Sequence, residues 1–128
     1  RRFGSLVAME LGTATAYAML NVQQRGTFFI PPGTEVYEGM VVGEHIRADD
    51  LPINVAKTKH LTNVRAKPTE VTSSLSPARI MSLDDYIEFM GDDELLEVTP
   101  QSLRIRKRIL NTEIRLREDK RKRQIVGA

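Results

Sequence analysis

Polar and apolar residues alternate along the first half of the chain more than they follow a helical beat. "SLVAMEL" and "TATAYAML" lie on either side of Gly12. In the second, Thr13, Thr15, Tyr17 and Met19 alternate with Ala14, Ala16, Ala18 and Leu20. A period of two predicts strands for both, although the alanines leave a helix open for the second. "NVQQRG" predicts a helical turn closed by Gly26 in a left-handed exit. "TFFI" is rich in strand formers and stops at Pro31-Pro32-Gly33, a strong breaker. "TEVYEGMVVGEHI" predicts one or two strands, with Gly39 and Gly43 as turns or bulges. "LPINV" predicts a further short strand, and "RIM" at Arg79 a return to the sheet.

Helical signals come late. Ser82 can cap "SLDDYIEFMG", Asp84 and Asp85 suit its positive end, and Gly91 ends it. Leu83, Ile87 and Met90, with Tyr86, would form its buried face. Thr99-Pro100 predicts a second start, followed by an imperfect apolar stripe of Leu103, Ile105, Ile109 and Leu110. A third segment runs from Thr112 into a charged tail of thin apolar content. Strands first and helices last give the α+β class: an antiparallel β-rich first two-thirds, as a sheet or small barrel, then two or three helices.

Length and composition narrow this further. A chain of 128 residues with an apolar share of 41% can build one modest core. It has no cysteine, so thiolate metal sites, disulfides and a cysteine nucleophile are excluded. No apolar run approaches the roughly 20 residues of a spanning helix, and no signal segment opens the chain. The opening residues are already patterned as structure, which reads as a piece of something longer.

The net charge of +2 conceals blocks of one sign. No Lys or Arg lies between Arg79 and Arg104, an interval holding Asp84, Asp85, Glu88, Asp92, Asp93, Glu94 and Glu97. Basic residues dominate from Arg104 to Arg123. A second cationic stretch, "NVAKTKHLTNVRAKPTEV", has no acid from Ile53 to Thr69. Its Lys57, Lys59, Arg65 and Lys67 can neutralise phosphates, and Thr58, Thr62 and Asn63 can bond phosphate, ribose or base edges. On charge alone, RNA contact and an ordinary solvated loop are equally good readings. Arg104 and Lys107/Arg108, on successive turns of the helix predicted after Pro100, would present a basic stripe.

Other chemistry is poorly served. GxxxxGK[ST] and GxGxxG are absent, so no nucleotide loop is recognisable. His45 and His60 lack metal-ligand spacing, and His45 reads as a partly exposed strand-end residue. The acids of the first late helix lack calcium-loop spacing. Aromatics do not interleave with the basic residues. Core packing accounts for most of the rings, which favours folded RNA held by phosphates and shape over single-stranded bases.

"EVYEGMVVGEH", "DDLPINVAKTKHLTNVRA" and "DDELLEVTPQSLRIRKRIL", in this order, resemble the carboxy-terminal region of the TypA/BipA family, translational GTPases related to elongation factor G. The resemblance covers nearly the whole chain. It implies that residues 1–46 are the later part of a region like the fifth domain of elongation factor G, and that 47–128 are the family's own RNA-binding domain with a basic tail. It further implies a loop, about 54–76, that enters the aminoacyl-tRNA site of the large ribosomal subunit. Lys57, Lys59, His60, Asn63, Arg65 and Lys67 would be its contacts; the charge pattern, not the resemblance, adds Arg104, Lys107 and Arg108 as further RNA contacts. Pro52 departs from the pattern, which has a strand-compatible residue such as Thr or Val there. The implied partners are the ribosome and its large-subunit RNA, with tRNA left open. GTP and magnesium belong to the parent's amino-terminal domain, so this chain would bind no cofactor and catalyse nothing. A monomer in the bacterial cytoplasm, or in an organelle's stroma or matrix, is expected. The alternative is a protein-interaction module using the acidic helix and basic tail.

Overall fold

The computed structural model describes residues 3–57 and 75–126. Its centre is a six-stranded sheet built around β1 (Ser5–Ala8) and β5 (Met40–His45). β1 runs antiparallel to β5, Leu6 opposite Gly43 and Val7 opposite Val41, with a bulge between these pairs. The other edge of β5 is shared. β3 (Gly26–Phe28) pairs with its later half and β8 (Leu103–Lys107) with its start. β7 (Glu94–Val98) forms a hairpin with β8. β6 (Leu51–Ile53) closes the far side, parallel to β1. β2 (Gly12–Thr13) and β4 (Glu35–Val36) make a small separate ladder. The α+β class expected from the sequence is what is found, and the sheet takes strands from both sides of residue 46.

All four residues of β1 are buried, because both faces of the sheet are covered. On one face Leu6, Ala8, Phe28, Met40, Val42 and Ile53 pack with Met19 of α1 (Ala16–Val22). On the other, Val7, Val41 and Ile105 meet Phe29 and the rings of Tyr86 and Phe89 from α2 (Leu83–Phe89). Phe29 stands edge-on to both rings, with centroids 6.2 Å and 5.1 Å away. α3 (Thr112–Val126) ends the described chain. No described helix is long and apolar enough to cross a membrane.

Several local expectations are corrected. "TATAYAML" becomes α1 from Ala16 onward, because Thr15 accepts the Ala18 amide at 3.1 Å as an N-cap and Ala18 and Met19 are drawn into the core. The turn after it is a 3₁₀ helix, Gln23–Arg25, but Gly26 is extended at φ 170°. Glycine is required there by closeness: a Cβ would run into the Glu44 carbonyl. Arg79 meets the sheet through one backbone bond, its amide to Phe28 O at 2.8 Å, without forming a strand. α2 buries Tyr86 and Phe89, whereas Leu83 and Ile87 are exposed. Thr99-Pro100 starts no helix. Thr99 Oγ1 accepts the Ser102 amide at 2.9 Å and closes the β7–β8 turn.

Pro52 fits as an edge residue. Ile53 O accepts the Met9 amide at 3.0 Å, so Leu51 and Ile53 turn their polar backbone toward β1. Pro52, one residue out of phase, turns its missing donor to the open edge, where a ladder loses nothing.

Candidate nucleic-acid interface

The acid-free segment starts from a fixed root. Lys57 follows β6, and its carbonyl accepts the Thr15 hydroxyl at 2.8 Å while Val55 O accepts the Thr15 amide at 2.8 Å. The cap that starts α1 therefore also holds the chain entering the segment. On the return, the Ser76 amide donates to Gln23 Oε1 at 3.0 Å, just past the other end of α1. Lys57 itself is exposed and pairs with no carboxylate among the described residues. The predicted contacts Lys59, His60, Asn63, Arg65 and Lys67 lie outside the described residues.

The remaining predicted contacts are not on a helix. Arg104 and Lys107 sit on β8, and Arg108 directly follows it. A strand alternates its side chains, and here it sends Lys107 inward. Lys107 is 1% exposed. Its ammonium contacts Asp50, reaches Asp93 Oδ2 at 2.9 Å, and lies 3.0 Å from Glu94 Oε2. Burial alone lowers the pKa of such a lysine, but Glu94, Asp50 and Asp93 together hold it above its ordinary value. An ammonium enclosed by carboxylates is not offered to a phosphate, so Lys107 is corrected to a core residue. Ser5 joins the group by donating its hydroxyl to Glu94 Oε2 at 2.6 Å.

Arg104 is half-buried. Its Nε donates to Glu97 Oε1 at 3.2 Å, and its guanidinium lies over Tyr37, 5.6 Å from the ring centre. Glu97 also takes the Tyr37 hydroxyl, and burial, then this carboxylate, raise the Tyr37 pKa far above its usual value. Arg108 is exposed and donates Nε to Asp92 O at 3.1 Å. Arg104 is thus committed within the protein, whereas Arg108 stays exposed. His45 is buried at 3% exposure, not partly exposed, with Nδ1 2.6 Å from Asp49 O. No group of three or more His, Asp or Glu among the described residues could hold a metal ion.

Sequence reasoning missed Arg25 and Arg47. The Ile46 amide donates to Arg25 O at 2.9 Å, which brings the two arginines into one neighbourhood. Both are exposed and neither pairs with a carboxylate among the described residues. Each is a single cation in its stretch of sequence, so only their spatial approach reveals them.

The family model for the TypA/BipA C-terminal domain matches residues 3–112. The chain belongs to the TypA/BipA family. The resemblance carried by the three sequence blocks is thereby confirmed, and the match ends where α3 begins. The chain is 50% identical over 123 residues to the large ribosomal subunit assembly factor BipA of Bacillus subtilis (strain 168), covering 96% of this chain and 20% of that protein. The protein of the same name from Synechocystis is 50% identical over 104 residues, 81% of this chain and 17% of its own length. That of Salmonella typhimurium is 45% identical over 120 residues, 94% of this chain and 20% of its own. The chain thus spans about a fifth of these TypA/BipA relatives.

Proposed function

We propose that this chain is the ribosome-binding carboxy-terminal region of a translational GTPase and that it holds large-subunit ribosomal RNA through the segment rooted at Lys57. The observation that carries the reading is the way Thr15 and Gln23, at the two ends of α1, secure both roots of a cation-rich segment that is acid-free as far as Thr69, in a chain of this family. The names of the relatives, large ribosomal subunit assembly factors, support a ribosomal partner. On this reading Lys57, Lys59, Arg65 and Lys67 neutralise phosphates, and His60 and Asn63 add hydrogen bonds. The segment reaches the aminoacyl-tRNA site, where tRNA is a further contact. The chain performs no catalytic step. GTP and magnesium act in the parent protein, and the setting is a bacterial cytoplasm or an organelle's stroma or matrix.

Sedimentation with isolated large subunits tests the reading. The unsubstituted chain is expected to pellet with them. Lys59→Glu with Arg65→Glu is expected to weaken pelleting at least about tenfold, the loss of two phosphate contacts. The reading falls if that variant pellets normally while neutralising Lys120 to Arg123 abolishes pelleting.

A second reading, a protein-docking module, has its own observation. Ile80, Leu83 and Ile87 are exposed at 94%, 46% and 53%, beside the acids of α2. On that reading the chain pellets with intact subunits and ignores protein-free ribosomal RNA.

A further inference from the structure

A groove of about 390 Å³ runs between α1 and the edge strand β6. Its floor is apolar, formed by Met9, Val22, Leu51 and Pro52. Its two ends are cationic. Lys57 stands beside Thr15 at the start of α1, and Arg25 lies beyond the end of α1. Thr15 and Arg25 are ten residue steps apart, about 15 Å along a helical path. Between them Asn21 is exposed on the groove side of α1. Asn54 is already engaged, donating Nδ2 to Glu10 Oε2 at 3.1 Å and accepting the Ala56 amide at 2.9 Å. That bond turns the Glu10 carboxylate to a neighbour on the same rim.

An apolar floor wants a flat uncharged body, two separated cations want anions on either side of it, and an amide between them can read a polar edge. A nucleotide within an RNA strand has these parts in this order. The volume lies within the usual span of small-ligand sites. Among the described residues no aromatic ring lines the groove, so they offer no stacking platform for a run of bases. We propose that the groove receives one unpaired, extruded nucleotide of the bound RNA. Its base rests on Val22, Met9 and Pro52, Asn21 meets its edge, and Arg25 and Lys57 hold the flanking phosphates. This rests on the RNA-binding reading above and adds a site that the acid-free segment does not supply.

The test uses the whole chain and purified large subunits. A benzophenone-bearing residue in place of Asn21 is expected to cross-link to an unpaired nucleotide. Asn21→Trp, which fills the groove from an exposed position, and Arg25→Glu are each expected to weaken subunit binding about tenfold. Arg25→Lys should retain binding, and circular dichroism should show all variants folded. If the unsubstituted chain binds but both Asn21→Trp and Arg25→Glu bind equally well, the groove proposal is overturned and the RNA reading stands. Cross-links to ribosomal protein or to paired RNA overturn it too. If the unsubstituted chain fails to bind, both readings fall.

Discussion

The Lys107 ammonium lies 3.0 Å from Glu94 Oε2, and both residues are almost wholly shut off from water. Removing one partner strands the other's charge in the core. Lys107→Met should therefore cost about 3–5 kcal/mol, the usual penalty for breaking a buried pair. Adding Glu94→Gln should restore part of the loss, because the stranded charge goes with it. Urea unfolding of the two single variants and the double variant checks this. Strictly additive losses would mean that the two side chains are not coupled.

Stability should fall in alkali. The Lys107 pKa is raised because its carboxylates outweigh burial, and that of Tyr37 is raised by burial and Glu97. The folded state therefore keeps protons that the unfolded chain releases near about pH 10. The stabilisation is complete below that pH and is lost as pH rises through the folded-state values. Unfolding midpoints should be level near about pH 8 and drop toward about pH 11. Tyr37→Phe should make the drop shallower.

Gly39→Ala should destabilise by about 1–3 kcal/mol, the range for a residue forced into a sparsely populated conformation. Gly39 has φ +95°, and a Cβ there would sit 2.6 Å from Leu110 Cδ2 and 2.8 Å from Leu110 Cα. Its amide and carbonyl also bind Ala8 O and the Lys107 amide, so the backbone has little freedom to yield. A thermal melt beside Gly33→Ala is informative: Gly33 has φ +92° but open space around it. The smaller loss is expected at Gly33.

Ser82→Ala should cost about 1 kcal/mol. Ser82 and Asp85 cap each other, the Asp85 amide to Ser82 Oγ at 3.2 Å and the Ser82 amide to Asp85 Oδ2 at 3.0 Å. Denaturant titration gives the value. An unchanged midpoint would show that α2 is held by Tyr86 and Phe89 alone.

Binding to large-subunit RNA should weaken with salt. If Lys57, Lys59, Arg65 and Lys67 each neutralise one phosphate, log K against log salt should have a slope of roughly −3 to −4. Reversing Lys59 and Arg65 should flatten it. A slope near zero in the unsubstituted chain would remove phosphate contact from the account.

What could be read in advance depended on how local the deciding interactions are. The start of α2 was legible at Ser82 because a capping box lies within four residues. Thr99-Pro100 carries a similar local signal and misleads, because β8 pairs with Met40 and Val41 of β5, which are distant in sequence, as well as with β7. "TATAYAML" suits a strand or a helix, and Met19 settles it by packing with residues such as Leu6 and Val55. Lys107 looks like a surface cation because its carboxylates come partly from Asp50, far away in sequence. The acid-free segment and the family blocks were visible because they are contiguous. The groove was not, since Met9, Val22 and Pro52 meet only in the fold.

α1 is a ruler as well as a covering helix. Thr15 grips the outgoing root of the acid-free segment and Gln23 the returning one. The eight residue steps from one to the other set a spacing of about 12 Å along the helix axis. Inserting one turn would part the roots by about another 5.4 Å without touching a single cation. Whatever fits between those roots is measured by the length of α1, so a change far from any basic residue can alter what this end of the protein will accept.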